Sequence, residues 1–116
     1  MTETLATGVC EPCRKGAPPV TAEEIAELRP QIPDWEMQEI DGVPRLVREF
    51  TFEDFARALD FTNRVGAIAE AQGHHPVIVL DWGRVTVSWW THKIRNLHRN
   101  DFIMAAQTDD VYMGRR

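Results

Sequence analysis

The chain has 116 residues, a length that suits one domain with a single modest core. Its formal net charge of −5 argues against gripping a nucleic-acid backbone, which calls for a basic stripe. The longest apolar run, Val77-Ile-Val-Leu80, is far too short to span a membrane, and the first residues lack the basic start and hydrophobic stretch of a signal peptide.

Residues 1–19 hold Gly8, Pro12, Gly16, Pro18 and Pro19 and little apolar periodicity, so they read as a flexible or loosely docked tail ahead of a single domain over 20–116. Cys10 and Cys13 admit three readings: free thiols in that tail, half of a zinc site, or a redox pair. A zinc site needs about four ligands and no second cysteine pair exists, while a redox pair belongs at a helix start beside a strand. Free thiols are the preferred reading, and with no disulfide framework the expected compartment is the cytoplasm.

Thr21-Ala-Glu-Glu24 has capping-box spacing. Ile25 and Leu28 continue a short amphipathic helix that Pro30 and Pro33 end. Trp35–Ile40 and Arg45–Phe52 read as strands joined by the Asp41-Gly42 turn, although Leu46 beside Arg48 leaves the core face ambiguous. Thr51-Phe-Glu-Asp54 opens the longest helix, which Gly73 closes after Gln72. Its two apolar stripes, one through Phe55 and Leu59 and one through Ala58, Phe61, Val65 and Ile68, are broader than one sheet contact needs. Either the helix is deeply buried or part of it meets a second subunit.

Val77–Asp81 and Arg84–Thr91 form a second hairpin around Trp82-Gly83. A two-residue turn pairs Leu80 with Val85 and Ile78 with Val87, placing Ile78, Leu80, Val85, Val87 and Trp89 on one apolar face. Thr86, Ser88, Trp90 and His92 take the other, more polar face. A last helix runs from about Asn100-Asp101 to Val111, its first-turn acid suiting the helix dipole. The order α-β-β-α-β-β-α predicts an α+β fold, a four-stranded antiparallel sheet with helices packed on one face.

Three of the four histidines meet at the mouth of the second hairpin. Extending its register sets His75 opposite Trp90 and diagonal to His92, about 7–8 Å apart or less, while His74 turns to the other side. Glu70 lies in the last turn of the long helix and Asp101 at the start of the final one. Imidazoles pass protons in both directions near neutral pH, and a carboxylate fixes their tautomer. No nucleophile elbow or phosphate loop accompanies them, so the pattern points to proton transfer without a covalent intermediate. A metal site is the weaker reading, because adjacent His74 and His75 diverge on a strand. The basic residues Lys93, Arg95, His98 and Arg99 read as a solvated loop.

Glu70-x-x-x-His74-His75-Pro76, then Trp82, His92 and Asp101, resembles the signature of pterin-4a-carbinolamine dehydratases. Cys10-x-x-Cys13, Thr21-x-Glu-Glu24 and Pro33-x-Trp35 extend the resemblance over nearly the whole chain. The resemblance implies dehydration of 4a-hydroxytetrahydrobiopterin or a close relative, with no metal and no organic cofactor. It implies a homodimer or homotetramer, while the charge and the short apolar runs give no direct nucleic-acid or membrane partner as the expectation. It assigns acid and base work to His74, His75 and His92, supporting roles to Glu70 and Asp101, and substrate contacts to His74, His75, Pro76, Thr91, His92 and Lys93. Trp82, at the turn, reads as structural. Two rival readings are a scaffold or dimerisation cofactor that presents the long helix to a protein partner, and a pterin binder without turnover.

Overall fold

The computed structural model describes residues 4–12 and 14–116. Helix α1 (Ala22–Leu28) is capped as its sequence predicts: the Thr21 hydroxyl accepts from the Glu24 amide at 3.1 Å and the Glu24 carboxylate accepts from the Thr21 amide at 3.0 Å. A 3₁₀ turn over Arg29–Gln31, holding Pro30, ends it.

Strands β1 (Glu36–Ile40) and β2 (Val43–Thr51) meet through Asp41-Gly42, both at positive φ (53° and 76°). That is the turn whose twist matches the flanking strands. Pro44 sits within β2 without cost to the ladder, because pairing of β2 with the sheet's next strand begins only at Leu46. Helix α2 (Phe55–Gln72) starts later than its sequence suggests. Thr51 still belongs to β2, and Asp54 is the cap, its side chain accepting from the Arg57 amide. Gly73, at φ 64°, ends α2 in the left-handed conformation.

Strands β3 (Val77–Leu80) and β4 (Arg84–Trp89) pair in the expected register, and the antiparallel sheet runs β1-β2-β4-β3. Strand β3 is therefore an edge, bounded by Pro76 and Asp81. The last helix, α3 (Arg99–Tyr112), completes the predicted α+β order. Leu46, Phe50, Val85, Val87 and Trp89 face the helices and are buried, while Glu36, Gln38, Glu49 and Thr86 line the opposite side. Among the described residues no helix is long and apolar enough to cross a membrane.

The start of the chain corrects one expectation. Leu5 is fully buried in the main core, within a 3₁₀ turn over Leu5–Thr7. Its cause lies in α3, where every residue from Asn100 to Thr108 is buried. A helix enclosed on all sides needs a cover beyond the sheet and α2. Residues 5–8 supply it, with the Gln107 side-chain amide donating to the Gly8 carbonyl at 3.0 Å. The expectation for residues 1–3 and Cys13 lies outside the described residues.

Arg48, which blurred the pattern of β2, points inward. Its guanidinium lies 4.4 Å from the Phe50 ring centroid and donates to the Asp109 carboxylate at 2.7 Å, which also accepts from the Trp35 indole N–H at 2.8 Å. Burial nevertheless raises the Asp109 pKa, outweighing the Trp35 and Arg48 bonds that lower it. The folded chain thus holds this proton to a higher pH than the unfolded chain. The stability linked to it is complete below the ordinary aspartate range and lost as pH rises through the native titration. Urea unfolding of wild type against Asp109→Asn from about pH 3 to 6 should show the wild-type advantage shrinking as pH rises; a growing advantage would contradict this account.

Candidate active site

The left-handed turn at Gly73 sends the two following histidines into different surroundings. His74 is buried, with its amide bonded to the Ala69 carbonyl and its ring stacked on Trp89 at 5.8 Å and 9°. Its Nε2 lies 2.6 Å from Asp101 Oδ1. His75 is exposed, and its Nε2 lies 2.6 Å from Glu70 Oε1, one turn back on α2.

Asp101 is fully buried and is held at the start of α3 by several donors. One oxygen meets His74; the other accepts from the Thr91 hydroxyl at 2.8 Å and from the His98 amide at 2.9 Å. The last bond is half of a capping box, completed by the His98 ring, whose Nδ1 accepts from the Asn100 amide. An ionised Asp101 accepts only, so the proton between it and His74 resides on His74 Nε2. His98, the fourth histidine, is thus a helix cap.

His92 departs from its expected place. The β3–β4 ladder ends at Val77 and Ser88, and the chain leaves β4 after Trp89. A tight loop follows, closed by the Thr91–Asn96 bridge, with a 3₁₀ turn over His92–Ile94 and Arg95 at φ 49°. His92 therefore sits on a loop, its ring stacked on Trp90 at 4.3 Å. Arg45, opposite Trp90 by extension of the β2–β4 register, lays its guanidinium 3.9 Å from the same indole. Adjacent Trp89 and Trp90 thus serve as platforms for His74 and His92. The alternation of faces along β4 was the signal for this pairing.

A cleft of about 260 Å³ results, lined by Gly73, His74, His75, His92 and Lys93. Glu70 and Asp101 stand behind it, each within hydrogen-bond distance of a lining histidine. Thr91 is buried beneath it, half-buried Pro76 starts the descent into β3 and is not a lining residue, and Trp82 is exposed at the opposite end of the hairpin. A larger groove of about 610 Å³ lies between the first half of α2 and the end of α3, over Phe52, Phe61 and Tyr112. No histidine lines it. Among the described residues no group of three His, Cys, Asp or Glu side chains is placed to hold a metal.

Residues 18–111 match the family model described as pterin 4 alpha carbinolamine dehydratase. The chain belongs to the pterin 4 alpha carbinolamine dehydratase family. Within this family it is 65% identical over 107 residues to a protein of Syntrophotalea carbinolica, covering 92% of this chain and 96% of the relative. It is 60% identical over 109 residues to one of Nitrosococcus oceani, covering 94% and 96%. Both are provisionally named pterin-4-alpha-carbinolamine dehydratases. The crystal structure of a transcriptional coactivator/pterin dehydratase from Brucella melitensis superposes with a TM-score of 0.72 at 29% identity, covering 81% of this chain and 98% of that one. A family dehydratase is a hydro-lyase, and the chain is an enzyme of that class.

Proposed function

We propose that the chain removes water from a 4a-hydroxytetrahydropterin by histidine acid–base catalysis in the cleft of Gly73, His74, His75, His92 and Lys93. The observation that carries this reading is the convergence of three imidazoles on one cleft, two of them held by carboxylates. The substrate's N5–H proton leaves to a base, the C4a–O bond breaks as the hydroxyl takes a proton from an acid, and a C4a=N5 double bond forms. The products are quinonoid dihydropterin and water. Atoms and electrons balance without an oxidant or reductant, so proton carriers suffice. The three histidines divide these transfers. Asp101 and Glu70 orient His74 and His75, and Trp90 holds the His92 ring. Lys93 shapes the approach for substrate, Thr91 acts from beneath by holding Asp101, and Pro76 sets where the chain leaves the cleft. A role in recycling tetrahydrobiopterin is part of the same proposal, with the cytoplasm as the expected compartment on cysteine usage.

Ultraviolet absorbance tests the reading directly. The protein should speed dehydration of synthetic 4a-hydroxytetrahydropterin; a folded protein that binds the pterin and leaves the uncatalysed rate unchanged would sink it.

A self-associating α2 face forms part of the same proposal. Ala58, Phe61, Val65 and Ala69 of α2 are buried, whereas Phe55 and Leu59 remain 49% and 39% exposed. Asp54, Arg57, Asp60 and Arg64 line the adjacent groove in alternating sign. Antiparallel apposition of two copies would set Arg57 against Asp60 and Asp54 against Arg64, a self-complementary pattern suited to a twofold. Leu59→Glu should convert a dimer or tetramer to smaller species in analytical ultracentrifugation; an unchanged assembly would place the interface elsewhere. The same exposed face is what a scaffold role would use, and the Brucella melitensis neighbour is named as a coactivator. A hetero-partner would compete with self-association there.

A further inference from the structure

We propose that Cys10 and Glu11, acting through Gln72 and Asn100, form a brace that positions the His74–Asp101 pair. The inference rests on the dehydratase reading for its consequence, though not for its geometry.

His74 and Asp101 come from different elements, the exit of α2 and the entry of α3, and must meet at 2.6 Å in a buried setting. The residues just upstream of each are tied to two adjacent residues of the amino-terminal segment, Gln72 to Cys10 and Asn100 to Glu11. Gln72, the last residue of α2, accepts from the Cys10 amide through its side-chain oxygen at 3.0 Å. Asn100, adjacent to Asp101, exchanges two bonds with Glu11. Its side-chain oxygen accepts from the Glu11 amide at 3.0 Å, and its amide donates to the Glu11 carbonyl at 2.8 Å.

Asn100 is only 1% exposed, so leaving its side-chain oxygen or amide without a partner is costly. The segment is itself immobilised, with Leu5 in the core and its amide bonded to the Gln31 side chain, and Gly8 held by Gln107. Gly8 lies so close to α3 that a Cβ there would come within 3.0 Å of Ile103. A fixed segment with three directional bonds to Gln72 and Asn100 locks the offset between the two helix ends. A cover needed only to bury α3 would achieve that with apolar contacts. An error of about 1 Å in that offset is enough to cost on the order of 10²-fold in rate.

The test compares wild type with Gln72→Ala, Asn100→Ala and Asn100→Asp, the last keeping an oxygen for the Glu11 amide. Three readouts are needed: kcat and KM for 4a-hydroxytetrahydropterin dehydration, urea unfolding, and the low-field proton resonance of the His74 Nε2–H at the Asp101 bond. The brace predicts that Gln72→Ala lowers kcat about fivefold and Asn100→Ala about tenfold or more, with KM within about twofold. It predicts that Asn100→Asp recovers part of the loss, and that the His74 resonance shifts or broadens in step with kcat. An unchanged resonance in the folded variants overturns the proposal whatever the rates, and so does kcat within about twofold of wild type in both alanine variants. Should Asn100→Ala fail to fold, half-buried Gln72→Ala decides alone. Wild type without dehydratase activity would refute the functional reading, and the resonance would still judge the brace.

Discussion

His75→Ala and His92→Ala are each expected to slow dehydration by about 10²-fold or more while leaving the unfolding midpoint almost unchanged, since positioned acids and bases typically contribute 10²–10⁴-fold. Both side chains are exposed, so their removal opens no cavity. His75 loses only a surface hydrogen bond with Glu70, worth at most about 1 kcal/mol. His92 loses its stacking on Trp90, again at the protein's edge. A rate loss at constant stability would thus report chemistry. His74→Ala is the poorer probe, because it strands the buried Asp101 and mixes catalytic with structural damage. Stopped-flow absorbance with urea melts of the same preparations separates the cases. Two folded variants that keep wild-type rates would remove histidine catalysis from the account.

Asp101→Asn is expected to damage both properties at once. The carboxylate accepts three bonds in a fully buried position. An amide of the same shape keeps one accepting oxygen and turns a second acceptor into a donor, which then faces either the His74 N–H or the Thr91 and His98 donors. Leaving such buried groups unmatched costs about 1–3 kcal/mol each, so a loss of roughly 2–4 kcal/mol in urea unfolding is expected. The wrong partner also releases the His74 tautomer, and loss of an orienting carboxylate typically costs about 10–100-fold in activity. A variant as stable as wild type would mean that Asp101 is less tightly held than its three bonds indicate; a variant destabilised yet fully active would confine its role to structure.

Most of the fold was legible because its signals are local. The register of β3 on β4 followed from a two-residue turn and the apolar set Ile78, Leu80, Val85, Val87 and Trp89. The α1 cap and the Gly73 stop were written in three or four residues each. What escaped depends on partners far along the chain. Arg48 faces the core because Asp109, 61 residues later, receives it. Leu5 is buried because α3, nearly a hundred residues on, needs a cover. The site divides in the same way. Its histidines could be gathered by extending one hairpin, yet the chain leaves that hairpin at Trp89, and a left-handed arginine at position 95 carries no sequence signal of the kind a glycine would. Thr91 as a donor to Asp101 was likewise invisible, since the bond spans a loop closed by Asn96.

Strand β3 sets how this protein can fail. As an edge it offers a row of backbone donors and acceptors to any stray strand, and Val77 and Val79 stand exposed on it. Val77-Ile-Val-Leu80 is also the kind of uncharged, β-prone run that seeds cross-β stacking once it can lengthen. Two neighbours keep it short. Pro76 can donate no bond at one end, and Asp81, its carboxyl held below the usual range by Arg84 and the Trp82 amide, places a charge at the other. The proline at the mouth of the histidine cleft is therefore also a gatekeeper against aggregation, and any redesign of the cleft that replaces it gives up part of the chain's protection against amyloid-like growth.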